Sequence, residues 1–161
     1  MIHRLAAHPG FPRLVRHVVP PIDLALSRAT HGRVFLSKWF VPTLVLTTTG
    51  ARSGLVRESP LATQIRTDGT FVVVGSNYGE PRHPAWSVNL LADPRARVTT
   101  AGRSVDVTAR LLAGEERSAL WEELLVVWPP YATYEQRAGR ELRVFVLEPV
   151  DAGSQRSEWT P

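Results

Sequence analysis

The chain has 161 residues, 43% of them hydrophobic, which is enough for one domain with a real core and too few for two. It contains no cysteine, which excludes a disulfide framework, a thiolate metal site and a catalytic thiol, and fits a cytoplasmic setting. The formal charge of +4 sits at the front, where Arg4, Arg13, Arg16, Arg28, Arg33 and Lys38 face only Asp23 within residues 1–40. The remainder is nearly neutral, so a nucleic-acid-binding body is not expected. No apolar run approaches the roughly 20 residues of a membrane span, and no signal-peptide stretch opens the chain.

Residues 11–31 read as one or two short helices, with Pro20-Pro21 ending one and starting the next. From there the pattern turns to β. Thr43–Thr49 is β-branched and apolar, Gly50–Gly54 is a turn, and Leu55–Arg66 is a second extended run, so the two form a hairpin. Asp68-Gly69 is a two-residue turn signal leading into Phe71–Gly75, a continuous apolar run expected of a buried strand. After a polar loop, Ser76–His83, a short helix runs from Pro84 to Leu91, stopped by Asp93-Pro94. Arg97–Thr100 and Arg103–Leu112 flank Ala101-Gly102 as a further hairpin, with Val105, Val107, Ala109 and Leu111 on one buried face. Residues 115–128 are helical, with Leu120, Leu124 and Val127 at core spacing, and Pro129-Pro130 breaks this helix from a second that runs to Ala138. Leu142–Leu147 is the last strand. The expected organisation is a basic helical extension over 1–40, a mainly β (α+β) domain over 41–149 and a loose tail over 150–161. Six strands, mostly in hairpins with helices inserted between them, close most economically as a small barrel.

Three stretches carry candidate chemistry. In Thr47-Thr48-Thr49-Gly50-Ala51-Arg52-Ser53-Gly54-Leu55-Val56-Arg57, two glycines let backbone N–H groups converge, hydroxyls add donors, and Arg52 and Arg57 can grip a phosphate or carboxylate bidentately. The other reading is an ordinary hairpin with solvated arginines. It is not a Walker loop, since the lysine and following helix are missing. The second stretch, Gly75-Ser76-Asn77-Tyr78-Gly79 followed by His83-Pro84-Ala85-Trp86 and Asn89, places small residues at a strand end, with an indole and a carboxamide one helical turn apart. That suits a flat ring. The alternative makes Trp86 a core anchor and Asn89 a solvent-facing side chain. No second ligand stands at metal spacing from His83, so no metal site is expected. In the third stretch, Tyr131 and Tyr134 share a helix face and either line a pocket as proton donors or pack on the barrel.

Together these residues resemble the deazaflavin-dependent nitroreductase family of split-β-barrel flavin-binding proteins. The resemblance runs in order over residues 41–149: Leu46-Thr47-Thr48-Thr49-Gly50, Arg52-Ser53-Gly54 and Arg57, Pro60-Leu61, Asp68-Gly69, Val73-Val74-Gly75-Ser76, His83-Pro84-Ala85-Trp86 with Asn89-Leu90, Asp93-Pro94, Tyr131 and Tyr134, and Val146-Leu147-Glu148-Pro149. It implies a six-stranded split β-barrel that binds coenzyme F420 and transfers hydride from its reduced form to a quinone, an activated C=C bond or a nitro compound. It further implies that Ala51, Arg52, Ser53 and Arg57 hold the cofactor's phosphate and oligoglutamate tail. Pro60, Leu61, Val74, Gly75, Ser76, Asn77, Ala85, Trp86 and Asn89 would surround the deazaflavin, with Tyr134, Tyr131 and Ser76 as catalytic residues.

Two positions depart from the family pattern: Ala51 stands where a basic residue is frequent, and Ser87 where a tyrosine is frequent, which would enlarge the substrate side. An FMN-dependent reductase or oxidase of the same barrel class, and a non-catalytic deazaflavin- or lipid-binding module, are the competing readings. The basic segment 1–40 fits peripheral contact with anionic lipid at the inner membrane face, or a homodimer contact.

Overall fold

The computed structural model describes residues 42–150, so the expected N-terminal helices and the loose tail lie outside the described residues. Within them the strands are β1 (Thr43–Thr49), β2 (Val56–Ala62), β3 (Gln64–Ile65), β4 (Phe71–Val74), β5 (Arg95–Thr100), β6 (Arg103–Leu111) and β7 (Val144–Pro149). Helix α1 (Ala85–Ala92) follows β4, while α2 (Gly114–Val127) and α3 (Pro130–Ala138) precede β7. The strands form one antiparallel sheet in the order β2-β1-β5-β6-β7-β4-β3.

There are thus seven strands among the described residues and not the expected six, because the run Leu55–Arg66 is broken at Thr63. The Thr63 N–H donates to the Pro42 carbonyl at 2.9 Å, and its Oγ1 donates to the Val72 carbonyl at 3.0 Å. One half of the run therefore pairs with β1 and the other with β4. Since β2 and β3 are the two edges of the sheet and a single residue joins them, the sheet curls into a half-barrel.

The curl separates two cores. Leu44, Leu46, Phe71, Val73, Val98, Phe145 and Leu147 fill its interior with Trp86 and Leu90 of α1. Val72, Val144 and Val146 point the other way, onto Leu120, Trp121, Leu124 and Tyr134 of the α2–α3 pair. β4 and β7 bury both faces, which is why their sequences read as continuous apolar runs rather than alternations. Each such side chain contributes about 1.5–3 kcal/mol on burial.

Three details differ from the pattern-based expectation. Leu111 is 40% exposed and Leu112 is buried instead, because β6 ends there and the chain turns beneath α2. Val127 is half exposed and Trp121 takes its place in the core, because the last turn of α2 passes the sheet's edge. The final strand begins at Val144, opposite Val74, and continues to Pro149 opposite Val107.

Candidate active site

A cavity of about 440 Å³ lies where β2, β3, β4, the 76–79 turn, the start of α1 and the α2–α3 junction meet. Pro60, Leu61, Val74, Ser76, Asn77, Trp86, Tyr131 and Tyr134 all line it, so residues far apart in sequence and assigned above to ring binding and catalysis share one space. Gly75, Ala85 and Asn89 are not on its walls. Gly75 is buried behind Ser76, Ala85 is exposed on α1, and Asn89 reaches in another direction.

Trp86 satisfies both readings of it. The indole is buried, sits edge-on to Phe145 at 5.8 Å and anchors α1 to the barrel interior, while another part of it faces the cavity. Asn89 is not solvent-facing: it is buried, its Oδ1 accepts the Ala51 N–H at 3.0 Å and its Nδ2 donates to Thr48 Oγ1 at 3.0 Å. It is a strut between α1 and the β1–β2 turn. Ser87 is fully buried away from the cavity, donating to the Pro84 carbonyl and accepting from Arg143, so it does not enlarge the substrate side.

The β1–β2 turn is tight at Gly50, where a Cβ would come within 2.7 Å of Ser53 Oγ and 3.1 Å of the Leu55 carbonyl. Most of its N–H groups are committed within the protein rather than turned toward one open point. Those of Gly50, Ser53, Gly54 and Leu55 bond within the turn, and that of Ala51 bonds to Asn89. Anion recognition at this end therefore falls to side chains. Arg52 and Arg57 are exposed and make no ion pair with another described residue, whereas Arg66, Arg95, Arg97, Arg110 and Arg117 are each paired with a carboxylate. Arg57 and Pro60 lie on the same strand, roughly 10 Å apart along it, and Arg52 stands in the turn before that strand.

The tyrosine end is organised by a buried cation. Arg117 donates to Glu135 Oε1 at 2.8 Å and lies 3.0 Å from Glu141, with its guanidinium 4.9 Å above the Trp121 ring. Trp121 stacks on Tyr131 at 5.9 Å, and Tyr131 meets Tyr134 edge-on at 6.4 Å. Burial pushes the Tyr134 phenol up to about 12, with Tyr78 adding to the rise and Arg137 opposing it. Tyr131 moves in the same direction, again mainly through burial. Both are neutral donors at ordinary pH. Burial and then the nearby Arg140 and Arg143 lower the pKa of His83.

Several contributors escaped sequence reasoning. Leu124, Val127 and Trp128 wall the cavity from the α2 terminus, and the Trp-Pro-Pro break was the available signal for them. Gln64 also lines it, as does Tyr78 of the Gly75–Gly79 stretch already singled out in the sequence. Arg140 had no signal at all. Its guanidinium donates to the carbonyls of Gly75, Glu80, Pro81 and Arg82 at 3.0–3.3 Å, clamping the loop that presents Ser76 and Asn77. That loop runs through consecutive left-handed residues, Asn77 at φ 44°, Tyr78 at φ 56° and Gly79 at φ 80°. A tyrosine in this region costs on the order of 1–2 kcal/mol, which the surrounding contacts must offset.

A family model described as F420H(2)-dependent quinone reductase matches residues 22–149. The chain belongs to this family. An F420H(2)-dependent quinone reductase of Mycobacterium tuberculosis is 31% identical over 127 residues, covering 76% of this chain and 85% of that protein. A solved structure described as an F420-H2 dependent reductase (FDR-A) is 39% identical with a TM-score of 0.59, covering 66% of this chain and 94% of the other. A further solved structure, described as a domain-swapped dimer, is also 39% identical with a TM-score of 0.59, covering 66% of this chain and 80% of that one. In this F420H(2)-dependent quinone reductase family member, no helix among the described residues is long and apolar enough to cross a membrane.

Proposed function

We propose that this protein is an F420H2-dependent oxidoreductase that reduces an electron-poor organic acceptor, such as a quinone, an activated C=C bond or a nitro compound. The observation that carries the reading is the single cavity that brings Pro60, Leu61 and Trp86 together with Ser76, Tyr131 and Tyr134, with the exposed Arg57 further along β2 and the exposed Arg52 in the turn before it. The donor set fits the cofactor. Apolar walls at Pro60, Leu61, Val74 and Trp86 suit a tricyclic ring, and two exposed cations with no ion pair to another described residue suit a phosphate and carboxylate tail.

Within this reading, Arg52, Ser53 and Arg57 hold the anionic tail, while Asn89 and the Ala51 backbone hold the turn that carries them. Ser76 and Asn77 offer polar contacts to the ring edge. When bound, reduced F420 supplies the hydride. The chain's own part is orientation, exclusion of water by Leu124, Val127 and Trp128, and a neutral phenol at Tyr134 to donate a hydrogen bond or proton to the acceptor oxygen. The joined edge strands at Thr63 support a split-barrel description of the fold. A homodimer is supported by the relative described as a domain-swapped dimer. Peripheral membrane contact would rest on the charge of residues 1–40 alone.

The test is fluorescence titration of cofactor-free protein with F420 and with FMN, followed by F420H2 oxidation across quinone, enone and nitro acceptors. Saturable F420 binding and acceptor-dependent oxidation are expected. Tighter binding of FMN would favour the flavin reading, and binding without oxidation by any acceptor would favour a carrier.

A further inference from the structure

One side chain in the cavity wall is polar where its neighbours are apolar. Gln64 opens β3 directly opposite Val72 of β4, and residues paired in this way turn their side chains to the same face of a sheet. Val72 faces the α2–α3 pair, where it shares a core cluster with Leu124 and Tyr134. Gln64 therefore enters the cavity from the strand side, towards α2 and α3, and lines it together with Val72, Leu124 and Tyr131.

Among the described residues nothing bonds to its carboxamide: Oε1 is buried and accepts no hydrogen bond, and the amide nitrogen donates none. Two other buried side-chain atoms there lack a hydrogen bond, His83 Nδ1 and Arg117 Nε, but Arg117 Nε stands 3.0 Å from a Glu141 carboxylate oxygen and neither residue lines the cavity. A buried amide oxygen without a partner destabilises a fold relative to an apolar side chain of similar size, which needs none. Nor does the carboxamide set the strand in place. The start of β3 is fixed by Thr63, whose N–H donates to the Pro42 carbonyl and whose hydroxyl donates to the Val72 carbonyl. The use left for the group is a molecule in the cavity. The last torsion of a glutamine is broad, and turning this amide about it breaks no hydrogen bond.

On the reading of the site given above, we infer that Gln64 contacts the electron acceptor and helps to select it. A carboxamide both donates and accepts, so it bonds to a quinone or enone carbonyl through Nε2 and to the hydroxyl of a hydroquinone product through Oε1. The contact falls on the α2–α3 side of the cavity, which also carries Tyr131 and Tyr134. An acceptor with a carbonyl oxygen gains from it, and one without a hydrogen-bonding oxygen does not.

The experiment compares wild type with Gln64→Met and Gln64→Leu, which keep most of the bulk and remove the hydrogen-bonding group. It reads steady-state F420H2 oxidation with a soluble naphthoquinone, naphthoquinone affinity of the protein saturated with oxidised F420 by isothermal titration, and F420 affinity and Tm. In both variants the quinone KM and Kd should rise roughly three- to tenfold with kcat little changed, the equivalent of one neutral hydrogen bond. F420 affinity should hold, and Tm should hold or rise because a buried oxygen without a partner has gone. Unchanged quinone KM and Kd in both variants would overturn the proposal while leaving the reductase reading intact. So would loss of F420 affinity with quinone binding unchanged, which would place Gln64 at the cofactor. A fall of Tm together with both affinities would make Gln64 a scaffold residue and overturn the proposal as well. A wild type that neither binds F420 nor oxidises F420H2 would remove the reductase reading, and this inference with it.

Discussion

Asn89→Ala separates a strut from a ring contact. Its carboxamide makes one bond to the Ala51 N–H and one to the hydroxyl of Thr48, which is itself 3% exposed. Two neutral hydrogen bonds at about 1 kcal/mol each, plus a buried threonine hydroxyl left without that donor, put the loss at roughly 2–3 kcal/mol. For a chain of 161 residues this corresponds to a fall in Tm of roughly 5–10 °C. Urea unfolding of the double-mutant cycle with Thr48→Val should show a coupling of about 1 kcal/mol, because valine removes the partner that the alanine orphans. F420 affinity should fall several-fold, because the turn that carries Arg52 loses its anchor. A deazaflavin lacking the oligoglutamate tail should bind nearly as before. Additivity of the two substitutions within about 0.3 kcal/mol would refute the strut. Equal loss of affinity for the two ligands would return Asn89 to the ring site.

Arg52→Gln and Arg57→Gln should each weaken F420 binding by about 1 kcal/mol, close to fivefold, with the difference shrinking as salt rises because both groups are exposed. Isothermal titration at two ionic strengths checks this, and salt-independent losses would contradict it. Tyr134→Phe should lower turnover with quinones while leaving F420 affinity unchanged; retention of both turnover and acceptor KM would remove the residue from the mechanism. Because burial raises the Tyr134 pKa to about 12 against an ordinary value of 10, the unfolded chain loses its proton first. The stability contributed by the neutral phenol is therefore complete below pH 10 and is lost as pH rises towards 12, with Tyr131 acting in the same direction. Phenolate absorbance should then appear together with unfolding rather than before it. Arg140→Lys retains the charge but not the five-donor fork, so hydrogen exchange at amides 76–82 should accelerate by at least tenfold. Unchanged protection would dismiss the clamp.

Much of the framework was legible because it rests on local chemistry. β1 runs over Thr43–Thr49 as its β-branched content requires, and β4 begins at Phe71 after the Asp68-Gly69 turn. The Pro84 and Pro129-Pro130 signals mark helix starts within a residue. Less was legible wherever one segment served two partners. Leu55–Arg66 has uniform strand character, and nothing within it says that Thr63 transfers the chain from β1 to β4.

The same division runs through the site. By itself the sequence determined which residue types are available: a glycine turn with two arginines, an indole near small residues at a strand end, and a tyrosine pair on one helix face. Only the tertiary structure decided which of them meet. It put Pro60, Ser76, Trp86 and Tyr134 around one cavity, bound Asn89 to the β1–β2 turn, and committed most of the turn's N–H groups while leaving Arg52 and Arg57 exposed. The physical reason is range. Propensities and turn chemistry act over a few residues, whereas a cavity, a strut 38 residues away and a clamp from Arg140 to Gly75 exist only once the curled sheet has brought its edges together.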